Sequence, residues 1–74
     1  MSKYAVVIEQ YEDGGFGAFV PDLPGCVAAA SSRRQIEKLV AEAITLHIES
    51  LQAHGNPVPP PSSAVEYIEP AAVA

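Results

Sequence analysis

Four carboxylates in the first third of the chain are the residues best suited to chemistry: Glu9, Glu12, Asp13 and Asp22. Carboxylates that converge on divalent metal ions hydrolyse phosphodiesters, so this set would suit a metal-dependent nuclease. However, Asp13 precedes a glycine and Asp22 follows a proline, positions at which acids commonly bond the backbone of a turn. We therefore interpret these two acids as turn residues, and we expect neither catalysis nor a bound metal.

His47 and Cys26 are the other reactive side chains, and both lack the partners that a reactive site needs. His47 falls on the apolar side of a predicted helix, without the further ligands that a metal would require. Cys26 is the only cysteine, which excludes an internal disulfide and a multi-cysteine metal site. No base stands near Cys26 in the sequence to activate its thiol. We expect both side chains to pack structurally, and we predict no cofactor.

The chain is acidic, with nine Asp and Glu residues against four Lys and Arg residues and a net charge of −5. Three of the four cations, Arg33, Arg34 and Lys38, lie close to acids that dilute them. Nucleic-acid binding needs cations that displace counterions, so we expect no direct nucleic-acid contact by this chain alone and favour a basic protein partner. Neither a signal peptide nor a membrane span is evident, which predicts a soluble, cytoplasmic protein.

Short apolar runs separated by turns predict an antiparallel meander. Asp13-Gly14 is typical of a hairpin turn, and the prolines of Pro21–Gly25 require a loop. Both faces of the first run are apolar, which predicts a central strand, and Gly17 predicts a bulge or a close approach within the second. The predicted strands are Tyr4–Glu9, Phe16–Val20 and Cys26–Ala30.

A single long helix follows the meander. Ser32 and Gln35 fit a capping box at its start, and Gly55 followed by Asn56-Pro57 predicts its end. Beyond a proline-rich connector, Val65–Glu69 alternates like a strand and is a possible fourth edge strand. We expect one domain over residues 1–70 and a frayed tail over 71–74. The apolar side of the helix is predicted to contain Ile36, Val40, Ala43, Ile44, His47 and Leu51.

Three sequence segments together resemble the HicB-like antitoxin family of type II toxin–antitoxin systems. They are VVIEQYEDGGFGAFVPDLPGC (6–26), EAI (42–44) and HGNPVPPP (54–61), and the resemblance extends over Tyr4–Glu69. It implies a partial RNase H-like β-β-β-α-β fold of the α+β class, and binding to a small basic HicA-type toxin that cleaves mRNA. Many family members carry a C-terminal DNA-binding segment, and we expect none in this chain of 74 residues.

We therefore predict a non-enzymatic antitoxin that binds and neutralises a HicA-type toxin and has no DNA-binding domain of its own. Glu12, Asp13 and Asp22 are the candidate partner-binding residues. A core this small usually needs support from association, so we also expect a homo-oligomer. The alternative is an orphan HicB-like scaffold or regulatory module without a toxin, and a third hypothesis is a degenerate metal-dependent hydrolase.

Overall fold

Residues 3–72 are described by a computed structural model, in which three strands precede one helix. The order is β1 (Val7–Gln10), β2 (Phe16–Phe19), β3 (Val27–Ala30) and α1 (Arg33–Ala53). Both strand pairs are antiparallel, and the sheet order is β1-β2-β3. This confirms the α+β meander packed on one helix. The prediction of a central first strand was wrong, because short hairpin connections keep the strands in chain order and put β2 in the middle.

The β1–β2 turn is a three-residue hairpin loop of the kind predicted from Asp13-Gly14. The Tyr11 amide donates to the Gly15 carbonyl at 2.7 Å, and the Gly14 amide donates to the Tyr11 carbonyl at 3.0 Å. Gly14 has a φ of +90°, which a residue with a Cβ rarely adopts. The Asp13 carboxylate accepts a hydrogen bond from the Gly15 amide at 2.9 Å, which confirms its role in the turn.

The β2–β3 connection consists of two consecutive turns that meet at Leu23. Leu23 donates its amide to the Val20 carbonyl at 3.1 Å, and the Cys26 amide donates to the Leu23 carbonyl at 3.0 Å. Pro24 and Gly25 occupy the centre of the second turn, where proline fixes φ and Gly25 supplies a φ of +87°. A third bond, from the Val20 amide to the Cys26 carbonyl at 3.1 Å, closes the loop. The backbone therefore holds Leu23 directed into the core.

The core lies between α1 and one face of the sheet. Leu23 and Ile36 are its two largest fully buried side chains, and they come from the loop and the helix respectively. Ala43 and the half-buried Ile44 pack against it, as the helical spacing predicted, and Ile48 packs against it as well. The buried set is Ala18, Val20, Leu23, Cys26, Ile36 and Val40.

Both ends of α1 are capped by short-range hydrogen bonds. The Ser32 hydroxyl accepts from the Gln35 amide at 3.1 Å, as predicted, whereas the Gln35 side chain accepts from the Ser31 hydroxyl at 2.7 Å and so completes no reciprocal box. At the other end, Gly55 adopts a φ of +70°, and two backbone bonds end the helix. No helix between residues 3 and 72 combines the length and apolarity needed to cross a bilayer.

Residues 56–72 form neither helix nor strand, so the possible fourth strand does not join the sheet. The Tyr4 hydroxyl donates to the Pro59 carbonyl at 2.6 Å, which ties the connector to the start of the sheet. Asp22 then holds Ser62 and Ser63 through four hydrogen bonds, which we call the Asp22 clasp. Residues 71 and 72 are exposed. The parts of the predicted domain and tail at residues 1, 2, 73 and 74 lie outside the described residues.

Candidate functional site: the open face of the sheet

One face of the sheet packs against α1, and the opposite face carries exposed apolar side chains. The strand register aligns Val7, Phe19 and Val27 across the three strands on this second face, because side chains alternate along each strand. Val27 is 65% exposed, Tyr11 52% and Phe19 41%. These residues, together with Glu9 and Ala29, line a shallow groove. We call this surface the open face.

Tyr11 crosses the open face and lies against Gly17. A Cβ at position 17 would overlap the Tyr11 hydroxyl, and Gly17 is itself buried although its face is otherwise open. The close approach predicted from Gly17 is therefore confirmed, with an aromatic ring as the approaching group. This contact places the Tyr11 ring against Gly17, next to Phe19 on the same strand, and so extends the apolar surface of Phe19 and Val27.

Two of the three predicted partner-binding acids lie at one end of the sheet. Glu12 and Asp13 are exposed in the hairpin turn that follows β1, next to Tyr11. Asp13 bonds the turn through one carboxylate oxygen, and its charge stays at the surface. The hairpin therefore gives the open face an acidic border.

Asp22 lies at the opposite end, in the loop that follows β2. One oxygen accepts from the Ser62 and Ser63 amides, both at 2.8 Å, and the other accepts from their hydroxyls at 3.1 and 2.7 Å. These bonds, led by the one from the Ser63 amide, lower the pKa of Asp22 from 3.8 to about 2. The three acids thus do not form one cluster.

The residues considered for catalysis are dispersed in the same way. Cys26 is buried, and burial raises the pKa of its thiol, which disfavours the reactive thiolate. His47 is half-buried on α1 beside the Gly25 turn. Across residues 3–72, no three His, Cys, Asp or Glu side chains lie close enough together to hold a metal ion.

Sequence reasoning identified the acids and left the sheet face opposite the helix available for a partner, but it did not name the apolar residues of the open face. The available signal was the alternation that sets Gly17 and Phe19 opposite Ala18. That alternation becomes informative only when the face covered by α1 is known.

Comparisons with known proteins agree on a single family. A family model described as the HicB-like antitoxin of bacterial toxin–antitoxin systems matches residues 4–72. A UPF0150 protein of Synechocystis sp. is 43% identical over 57 residues, which cover 77% of this chain and 72% of that protein. A UPF0150 protein of Thermoplasma acidophilum is 39% identical over 57 residues, which cover 77% and 83%. One of Archaeoglobus fulgidus is 47% identical over 47 residues, which cover 64% and 68%.

Proposed function

This chain belongs to the HicB-like antitoxin family of bacterial toxin–antitoxin systems, and from that premise we propose that it binds a small basic HicA-type toxin and thereby blocks the cleavage of mRNA. The observation that carries the proposal is the family match over residues 4–72, which includes the whole sheet, the helix and the connector. An antitoxin of this kind acts by covering the surface with which the toxin binds its RNA.

The acidity of the chain supports a cationic partner. A net charge of −5 on 74 residues attracts a basic protein and accelerates its encounter at low salt. The same charge opposes binding of RNA or DNA, so we assign no nucleic-acid contact to residues 3–72. The only helix in that range is α1, so a helix-turn-helix unit is not among the described elements.

We assign toxin binding to the open face and its acidic border. Exposed aromatic side chains supply a disproportionate share of the binding energy in protein interfaces, and Tyr11 and Phe19 lie side by side with Val27 on this face. Glu12 and Asp13 would then meet cations at the rim of the toxin. Asp22 as a toxin contact stays a prediction, and its carboxylate already accepts four hydrogen bonds within the chain.

The proposed action is binding without catalysis. Neutralisation of an mRNA-cleaving toxin requires the protein to be in the compartment that contains mRNA, so the proposed location is the cytoplasm. Self-association is part of the proposal, since few large side chains are fully buried in one copy.

The test uses the basic protein encoded by the adjacent reading frame, with calorimetry for affinity and an RNA-cleavage assay for neutralisation. We expect a complex with a submicromolar Kd and suppressed cleavage. Phe19→Ala should weaken binding by about 30-fold, as expected for a buried aromatic anchor. Leu46→Ala, on the exposed side of α1, is the matched control and should bind within about twofold of the parent.

Two charge-reversal substitutions, one at the acidic border of the open face and one on the helix as its control, test the role of the border. Glu12→Lys should slow association and flatten its salt dependence, because a rim charge acts mainly on encounter. Glu49→Lys makes the same charge reversal at an exposed helix position and should change association less. The absence of a complex at micromolar concentrations, with RNA cleavage unaffected, would refute the antitoxin proposal and favour the orphan module.

A further inference from the structure

The segment Val65–Glu69 carries large apolar side chains that have no cover within the described chain. Tyr67 is 94% exposed and Ile68 is 80% exposed. The Cα radius of gyration is 14.8 Å, whereas a compact domain of 74 residues would have about 11 Å, which reflects a segment standing away from the sheet and helix. Its β-branched and aromatic residues favour an extended strand. A strand-forming segment in this state is suited to pair with another chain.

The base of this segment is already ordered. The Asp22 clasp fixes Ser62 and Ser63, and the prolines before them stiffen the connector. Residues 65–69 therefore leave the domain from a defined point, so pairing them costs less conformational entropy than ordering a free tail.

The edge of β3 is the better acceptor of such a strand. Among the described residues β3 pairs only with β2, so the backbone groups on its outer side are open to a further strand. Beside this edge, a groove is lined by Ala30, Ser31, Gln35, Lys38, Leu39 and Glu42. Leu39 is 40% exposed there and offers an apolar contact for Tyr67 or Ile68.

Charge distinguishes the two edges of the sheet. The groove beside β3 contains one cation, Lys38, together with one acid at its far side along α1, so Lys38 would oppose one of the two carboxylates of Glu66 and Glu69. The β1 edge contains Glu9, and like charges on neighbouring strands disfavour pairing. The acidic segment would therefore meet a cation beside β3, whereas the one charged residue of β1 is an acid.

We propose that Val65–Glu69 of one copy adds as a fourth strand to the β3 edge of a second copy. The exchange is reciprocal, so it produces a two-fold symmetric dimer in which both β3 edges are covered. The contact forms along the outer backbone edge of β3 and does not require Tyr11 or Phe19, the aromatic residues of the open face. The dimer is therefore independent of toxin binding, and its tests use this chain alone.

The first test measures molar mass by analytical ultracentrifugation between about 5 and 500 µM, a range that brackets typical weak dimers. We expect a dimer that Tyr67→Pro converts to the 7.8 kDa monomer, because proline removes a strand donor. Ala71→Pro makes the same change beyond the segment and should leave the dimer intact. A parent chain that stays monomeric at 500 µM, or a dimer that survives Tyr67→Pro, would overturn the proposal.

The second test examines the acceptor edge. Leu39→Asp should weaken the dimer at least tenfold, because it removes the apolar contact and repels Glu66. Leu46→Asp, two turns along α1 and outside the groove, should leave the dimerisation constant within about twofold. Both variants should give the circular dichroism spectrum of the parent chain, which is the control for folding. Equal effects of the two substitutions would exclude β3 as the acceptor.

A third measurement locates the contact directly. In a mixture of isotope-labelled and unlabelled protein, filtered NOE spectra should connect residues 65–69 of one copy with Val27–Ala30 of the other. Intermolecular NOEs confined to β1, or to the part of α1 around Leu46, would overturn the assignment.

Discussion

Leu23 closes one end of the core, so Leu23→Ala is the substitution expected to destabilise the domain most clearly. The side chain is fully buried although its backbone lies in a proline-rich loop. Replacing a buried leucine by alanine costs about 3–5 kcal/mol, and the cost rises when the surroundings cannot collapse into the cavity. The three hydrogen bonds of the double turn resist such collapse. A domain of 74 residues has a free energy of unfolding of about 4–11 kcal/mol, so the loss should be a large fraction of the total.

Urea unfolding followed by circular dichroism, at one fixed protein concentration, measures this loss. Leu46→Ala is the control, because Leu46 is exposed and its truncation should change the free energy of unfolding by less than about 0.5 kcal/mol. Should Leu23→Ala fail to fold, Leu23→Met keeps most of the volume and should cost less than about 1.5 kcal/mol. A loss for Leu23→Ala below about 1 kcal/mol, or no larger than that of the control, would refute the role of the loop in the core.

Smaller perturbations address the turn, the helix cap and the clasp. Gly25→Ala should lower the free energy of unfolding by about 1–2 kcal/mol, because φ at this position is +87°, and Gly25→Asn should cost less. Ser32→Ala should cost about 1 kcal/mol by removing the cap, whereas Ser31→Ala should cost less; equal losses would contradict the assignment. Since the pKa of Asp22 falls from 3.8 to about 2 on folding, the clasp is fully stabilising above pH 3.8 and is lost as the pH falls through about 2. The Ser63 amide resonance should therefore titrate near pH 2, and a midpoint near 3.8 would show that the clasp does not form.

Features of the fold that depend on local backbone geometry could be predicted from the sequence. The hairpin at Asp13-Gly14, the cap at Ser32 and the helix end at Gly55 all follow from residues that satisfy nearby amides or adopt a positive φ. The position of β1 at an edge could not be predicted from its composition, because a strand with apolar residues on both faces is compatible with a central position as well as with an edge. The sheet order β1-β2-β3, which follows from the short connections of the meander, places β1 at the edge.

Long-range contacts limited the prediction of the site. The Asp22 clasp joins residues 40 and 41 positions apart, and no local pattern links an aspartate in a turn to two distant serines. For the same reason, Asp22 could be grouped with Glu12 and Asp13 on charge alone, although they lie at opposite ends of β2. The apolar part of the open face became visible only once α1 was known to cover the other side.

The closed β2–β3 connection has a consequence for engineering the domain. Val20 and Cys26 are hydrogen-bonded across the loop, and Leu23 from the loop is fully buried. An epitope or fluorescent reporter inserted into this loop would therefore remove Leu23 from the core. The hairpin tip at Glu12–Gly14 is exposed and contributes no buried side chain, so an insertion there would leave the core intact while interrupting the acidic border of the open face. For the stability of the fold, the hairpin end of the sheet should therefore tolerate an insertion better than the end that carries Leu23.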